Sequence, residues 1–151
     1  MDKLTEAGYF TTKIYAVKKP EYLEAVRKVS DQYLEEAKKA LTGQHMTVMT
    51  GHYGHEESLA DFSGYVSQTA WNILSSQGYA MDNLVTYFTE MWTQEHHPFS
   101  DMGYHVHNAG SQITAFYFLD VPENGCHLLI HDPRMTKLMI NLPPKDDREA
   151  V

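Results

Sequence analysis

The chain has one cysteine, Cys126, which leaves no internal disulfide and no cysteine-rich zinc site. It has no stretch near the roughly 20 consecutive apolar residues that a membrane-spanning helix needs. The opening Met1-Asp2-Lys3-Leu4-Thr5-Glu6 lacks the basic-then-apolar order of a secretory signal, so the cytoplasm is the expected compartment. Positive charge is scarce: 12 Lys and Arg against 20 Asp and Glu give a net charge of −8. A nucleic-acid backbone is held by clustered cations, so nucleic acid is not an expected partner, and neither is a membrane. Lys18, Lys19, Arg27, Lys28, Lys38 and Lys39 alternate with acidic neighbours and read as a solvated helix face. No internal repeat and no low-complexity segment occurs.

What remains is 151 residues, 42% of them hydrophobic and 21% charged, the balance of one globular domain with a core of its own. Histidine is abundant. Six of the nine (His96, His97, His105, His107, His127 and His131) fall within 36 consecutive residues, the first sign of chemistry.

The expected order is helices first, strands after. Tyr9 to Val17 is β-branched and aromatic and reads as a strand. Pro20 suits a first helical turn. Leu23, Val26, Ser30, Tyr33, Leu34, Ala37 and Leu41 then repeat at helical spacing up to Gly43. Gln44 to Glu57 reads as a loop. A second helix is expected from Ser58, a candidate N-cap, through Leu59, Phe62, Val66, Ala70, Ile73 and Leu74 to Gly78. Strands are expected over Leu84 to Trp92, Tyr104 to His107, Gln112 to Val121 and Cys126 to His131. Turns are expected at His97 to Asp101 and Pro122 to Gly125. The plan is a single α+β or mainly-β domain over 1–151, helical over about 18–80 and β over about 84–143, with helices on one side of the sheet.

His105 and His107 are one residue apart. In an extended segment, residues i and i+2 point to the same face, so both imidazoles can reach one cation. Imidazole suits iron, zinc, copper or nickel, and two of them fill only part of a coordination shell. Two polar side chains at a strand end would give the same pattern. The small residues Asn108, Ala109, Gly110 and Ser111, followed by an aromatic strand, favour a site.

The run from His105 to Gly125 (HVHNAGSQITAFYFLDVPENG) resembles a bacterial and phage branch of the 2-oxoglutarate-Fe(II) oxygenase superfamily. That branch joins HxH to a strand ending in VPEN and to a later strand ending in DPR, here Asp132-Pro133-Arg134. The resemblance runs over about Leu84 to Pro143. It implies a double-stranded β-helix, a cupin-like jelly roll with two N-terminal helices packed on it. It also implies Fe(II), 2-oxoglutarate as cosubstrate, and a dioxygenase that couples decarboxylation to hydroxylation of a small-molecule or protein substrate. His105 and His107 would be the metal ligands, and His107 stands where the superfamily carries a carboxylate. Tyr117 would donate to the cosubstrate, or be a core tyrosine. Ser111 and Gln112 would shape the pocket mouth, or be loop residues. No histidine follows His131 and no arginine follows Arg148, so the distal ligand and the 2-oxoglutarate arginine are missing. The chain is therefore expected to be an incomplete barrel: an N-terminal fragment or a reduced relative. A phage origin would put it in the host cytoplasm.

Two rival readings stand beside this one: a non-catalytic phage structural or interaction module of the same ancestry, and another cupin-like metal protein. The substrate stays undefined, and a homo-oligomer stays open. His52 and His55 read as solvent-exposed, and His96-His97 as part of a turn. His127 and His131 share a face, and one could approach the pocket. The methionines, Met46, Met49, Met135 and Met139 among them, read as adaptable filler, and Trp71 and Trp92 as core anchors.

Overall fold

Pro20 opens the first helical segment, since its missing N–H costs nothing there. In the computed structural model a 3-10 turn over Pro20–Tyr22 runs straight into helix α1, Leu23–Ala40. Val26, Val29, Ser30 and Leu34, at three- and four-residue spacing, form the buried stripe of α1. Glu24 stands in its first turn, and Lys38 and Lys39 in its last, each opposing the partial charge of that helix end.

The structure describes residues 5, 12–43, 47–107, 110–125 and 127–131. Backbone contacts divide the chain into two units: Lys19–Cys126, and Met1–Lys18 with His127–Val151. In the second unit the described residues, 5, 12–18 and 127–131, belong to no helix or strand. The strands expected over Tyr9 to Val17 and Cys126 to His131 are thus absent where the chain is described. Tyr9, Cys126, Met46, Met135, Met139 and Asp132-Pro133-Arg134 lie outside the described residues, as do Asn108 and Ala109.

In the first unit, helix α2 (Ala60–Ser76) grows out of a 3-10 turn at Glu57–Leu59. Ser58 is not its N-cap: it lies inside that turn, and no side chain caps either segment. The chain is already curling before Ser58, because Glu56 N–H bonds the Tyr53 carbonyl (3.1 Å) and Leu59 N–H bonds the Glu56 carbonyl (3.0 Å). At the far end Gly78 acts as expected. It takes φ +95° and bonds the Ser75 carbonyl, and Tyr79 N–H reaches back to Leu74.

Strands β1 (Thr47–Met49) and β2 (Gln94–His96) pair antiparallel, with Thr47 opposite His96 and Met49 opposite Gln94. Hydrogen bonds extend the alignment: Thr50 N–H to the Thr93 carbonyl (3.0 Å), Thr93 N–H to Thr50 Oγ1 (2.9 Å), and Tyr53 N–H to the Met91 carbonyl (2.9 Å). A segment that reads as loop therefore forms a strand, because Val48 and Tyr53 in it are buried. Conversely, the strand expected over Leu84 to Trp92 is not formed, and the start of that segment is tied to α2. There Trp71 Nε1 donates to the Leu84 carbonyl (3.0 Å), and Thr86 Oγ1 donates to the Ser67 carbonyl (2.5 Å).

The core joins Val26, Val29, Tyr53, Leu59 and Phe62, with Tyr22, Tyr33, Val66, Met91, Tyr117 and Leu119 packed around them. Residues 104–107 and 112–121 form no ladder among the described residues, yet from Phe116 to Asp120 the second segment keeps a two-residue alternation. Ile113, Tyr117 and Leu119 are half-buried, whereas Phe116 and Phe118 are 58% and 60% exposed. Residue type sets such an alternation; a ladder also needs a second backbone about 4.8 Å away. No helix among the described residues is long and apolar enough to cross a membrane.

Candidate metal centre

The two imidazoles singled out by sequence come together. The ring centres of His105 and His107 are 5.4 Å apart with their planes at 68°. This is the geometry of an ordinary edge-to-face contact, and a cation about 2.1 Å from one nitrogen of each ring would also set ring centres about 5 Å apart. His105 is oriented from behind: its Nδ1 lies 2.8 Å from the Gly103 carbonyl oxygen. A carbonyl can only accept, so in the neutral ring Nδ1 carries the proton and Nε2 keeps the lone pair. His107 is half-buried beside Trp92, ring centres 6.0 Å apart at 39°. Sequence reasoning missed both supports, Gly103 because it acts through its backbone and Trp92 because it is 15 positions away. No group of three or more His, Cys, Asp or Glu is placed to hold a metal among the described residues, so the donor set present is two imidazoles.

The other candidate residues do not join this pair through their polar groups. Tyr117 donates its hydroxyl proton to the Lys19 carbonyl (2.6 Å), and its ring meets Phe62 at 5.1 Å. Burial, then the nearby Glu21 charge, raises its ionisation above the usual phenol range. Ser111 is exposed, and Gln112 bonds the Gly110 carbonyl (3.3 Å). A surface depression of about 600 Å³, lined by Asp31, Tyr33, Glu35, Glu36, Lys39 and Glu56, includes none of these residues.

His52 has the opposite chemistry to His105. Its Nδ1 accepts the Met91 N–H at 2.8 Å, so in the neutral ring the proton sits on Nε2 and no nitrogen remains for a cation. Its ring lies 5.6 Å from that of His55, whose Nε2 is 3.9 Å from Glu56. His96 Nδ1 lies 3.3 Å from both Thr47 Oγ1 and Ser100 Oγ. His97 Nε2 is 3.1 Å from Glu95, whose other oxygen takes Lys38 at 2.8 Å. The expected turn after His97 is present, closed by Ser100 N–H on the His97 carbonyl (3.1 Å). Both His127 and His131 are exposed.

Tyrosine hydroxyls carry the clearest electrostatic shifts. Tyr33 donates to Glu56 at 2.6 Å, and that bond, with burial and the carboxylate's charge behind it, raises its ionisation. Burial raises that of Tyr53, against the lowering effect of its bonds to Thr93 and Ser30. Comparison with family models, with curated proteins and with solved structures returned no match to this chain.

Proposed function

We propose that this chain carries the metal-binding part of an iron(II)- and 2-oxoglutarate-dependent oxygenase of the double-stranded β-helix type, with His105 and His107 as ligands. The observation that carries the reading is the Gly103 carbonyl on His105 Nδ1, which fixes the ring in the ligand-competent tautomer while His107 stands 5.4 Å away. The compound motif of HxH, VPEN and DPR supports it independently. When bound, iron with 2-oxoglutarate supplies oxidative decarboxylation coupled to hydroxylation of a C–H bond. The protein's share is positional. Gly103 holds one ring and Trp92 flanks the other. The two imidazoles leave a further protein ligand to complete the shell.

A second reading, a non-catalytic interaction module, is favoured by one observation: Phe116 and Phe118 turn their rings outward. Anaerobic Fe(II) titration of the whole chain separates the readings. The oxygenase reading expects one iron per chain and about tenfold or more weaker binding in His105→Ala and in His107→Ala, with succinate formed from 2-oxoglutarate only once dioxygen is admitted and the distal ligand and arginine are present. Metal retained without dependence on 2-oxoglutarate would point to a different cupin-like activity. No metal at all would leave the interaction module. Affinity should fall with acid, because ligation needs unprotonated rings.

A further inference from the structure

We propose that His52 is a proton-operated latch on the pairing of residues 50–53 with 91–93, a device that requires neither metal nor cosubstrate. Where an antiparallel ladder would offer a carbonyl to the Met91 N–H, the acceptor is the imidazole Nδ1 of His52, at 2.8 Å. A carbonyl accepts at any pH. An imidazole nitrogen accepts only while it is unprotonated, and His52 is solvent-exposed, so protons reach it. A proton on Nδ1 turns the acceptor into a donor facing another donor, and the bond is lost.

The ring is also confined. A Cβ at Gly54 would stand 2.7 Å from His52 Cε1 and 3.3 Å from Met91 Cβ, so the ring fills the space that glycine leaves. Gly54 N–H makes a second, longer approach to the same nitrogen, at 3.5 Å. On its own segment His52 faces the titratable ring of His55, with Glu56 behind it. On the opposite segment it faces Met91, whose preceding residue is Glu90. Next to the latch, Tyr53 N–H bonds the Met91 carbonyl and the Tyr53 ring sits in the core, 2% exposed. Release of Met91 therefore frays the pairing beside a core residue.

The test is amide exchange at Met91 by NMR on the whole chain, corrected for intrinsic rate, as pH is lowered through the titration of His52 followed on its own ring signals. Protection should fall about three- to tenfold in step with that titration, the size of one net hydrogen bond. At neutral pH the ring nitrogen shifts should report Nε2–H for His52. In His52→Asn, whose Oδ1 replaces Nδ1 with an acceptor that cannot titrate, protection should persist without the acid step. An Nδ1–H tautomer at neutral pH, Met91 protection that ignores the His52 titration, or an acid step that survives in His52→Asn would each overturn the proposal. The ring tautomer in the unaltered chain decides the matter even where the variant fails to fold.

Discussion

Tyr53 and Thr93 meet hydroxyl to hydroxyl at 2.5 Å, at the point where the 50–53 segment crosses β2's approach. Ser30, fully buried on α1, donates to the same Thr93 oxygen at 2.8 Å. One threonine therefore satisfies two polar groups from two other segments. Thr93→Val keeps the shape and removes the shared partner, leaving Tyr53 and Ser30 only each other, so it should cost about 1–3 kcal/mol in urea unfolding, the cost of one unsatisfied buried group. Tyr53→Phe removes one partner and leaves Ser30 bonded, and should cost clearly less. Equal losses would show that the hydroxyl cluster is not the source.

Alkaline pH should destabilise the fold. The ionisation of Tyr33, Tyr53 and Tyr117 is raised above the usual phenol range, so the folded state holds these protons more tightly than the unfolded chain. The stability they contribute is complete below pH 10 and is lost as pH rises through their folded values. Thermal melts between pH 9 and about 11 should show the decline. A Tyr33→Phe variant should soften it.

Phe99 has φ +68° in the turn after β2, directly behind Pro98, and is fully exposed. Proline second and positive φ third is the type II turn pattern, where glycine fits without a side-chain penalty. Phe99→Gly should thus stabilise the chain by about 0.5–1 kcal/mol, since it relieves backbone strain and gives up no packing. A loss of stability would mean that the ring has a partner after all.

For Tyr117 the two readings from sequence make opposite forecasts. As a tie to the Lys19 carbonyl, its hydroxyl should matter to stability: Tyr117→Phe should lower it by about 1 kcal/mol and leave Fe(II) binding unchanged. A cosubstrate donor would instead reveal itself as weakened 2-oxoglutarate binding with unchanged melting.

The helices were legible because their information is local. Pro20, the stripe Val26-Val29-Leu34 and Gly78 act within a turn or two of themselves. The strands were not, because a ladder depends on which distant backbone arrives. Val48 pairs with Glu95, and neither neighbourhood announces the other. Polar sequence around β1 reads as loop, and the β-rich sequence from Leu84 to Trp92 is tied at its start to α2 instead of to a strand. The imidazole pair was legible from its i, i+2 spacing. The proton positions that make His105 a donor and His52 an acceptor were not, since both depend on a backbone group: Gly103 in one case, Met91 in the other.

The partners of the first helix arrive late. Ser30, Lys38 and Arg27 of α1, with Lys19 just ahead of it, bond to Thr93, Glu95, Leu119 and Tyr117, at sequence separations of 57 to 98 residues. A ribosome adding roughly 5–20 residues per second delivers the last of these about 4–16 s after the end of α1. Through that interval the apolar stripe of α1 has Tyr53, Leu59 and Phe62 to pack on, while its polar anchors are still missing. The nascent helix is thus packed before it is anchored, and slowing translation ahead of Leu119 prolongs that half-secured state.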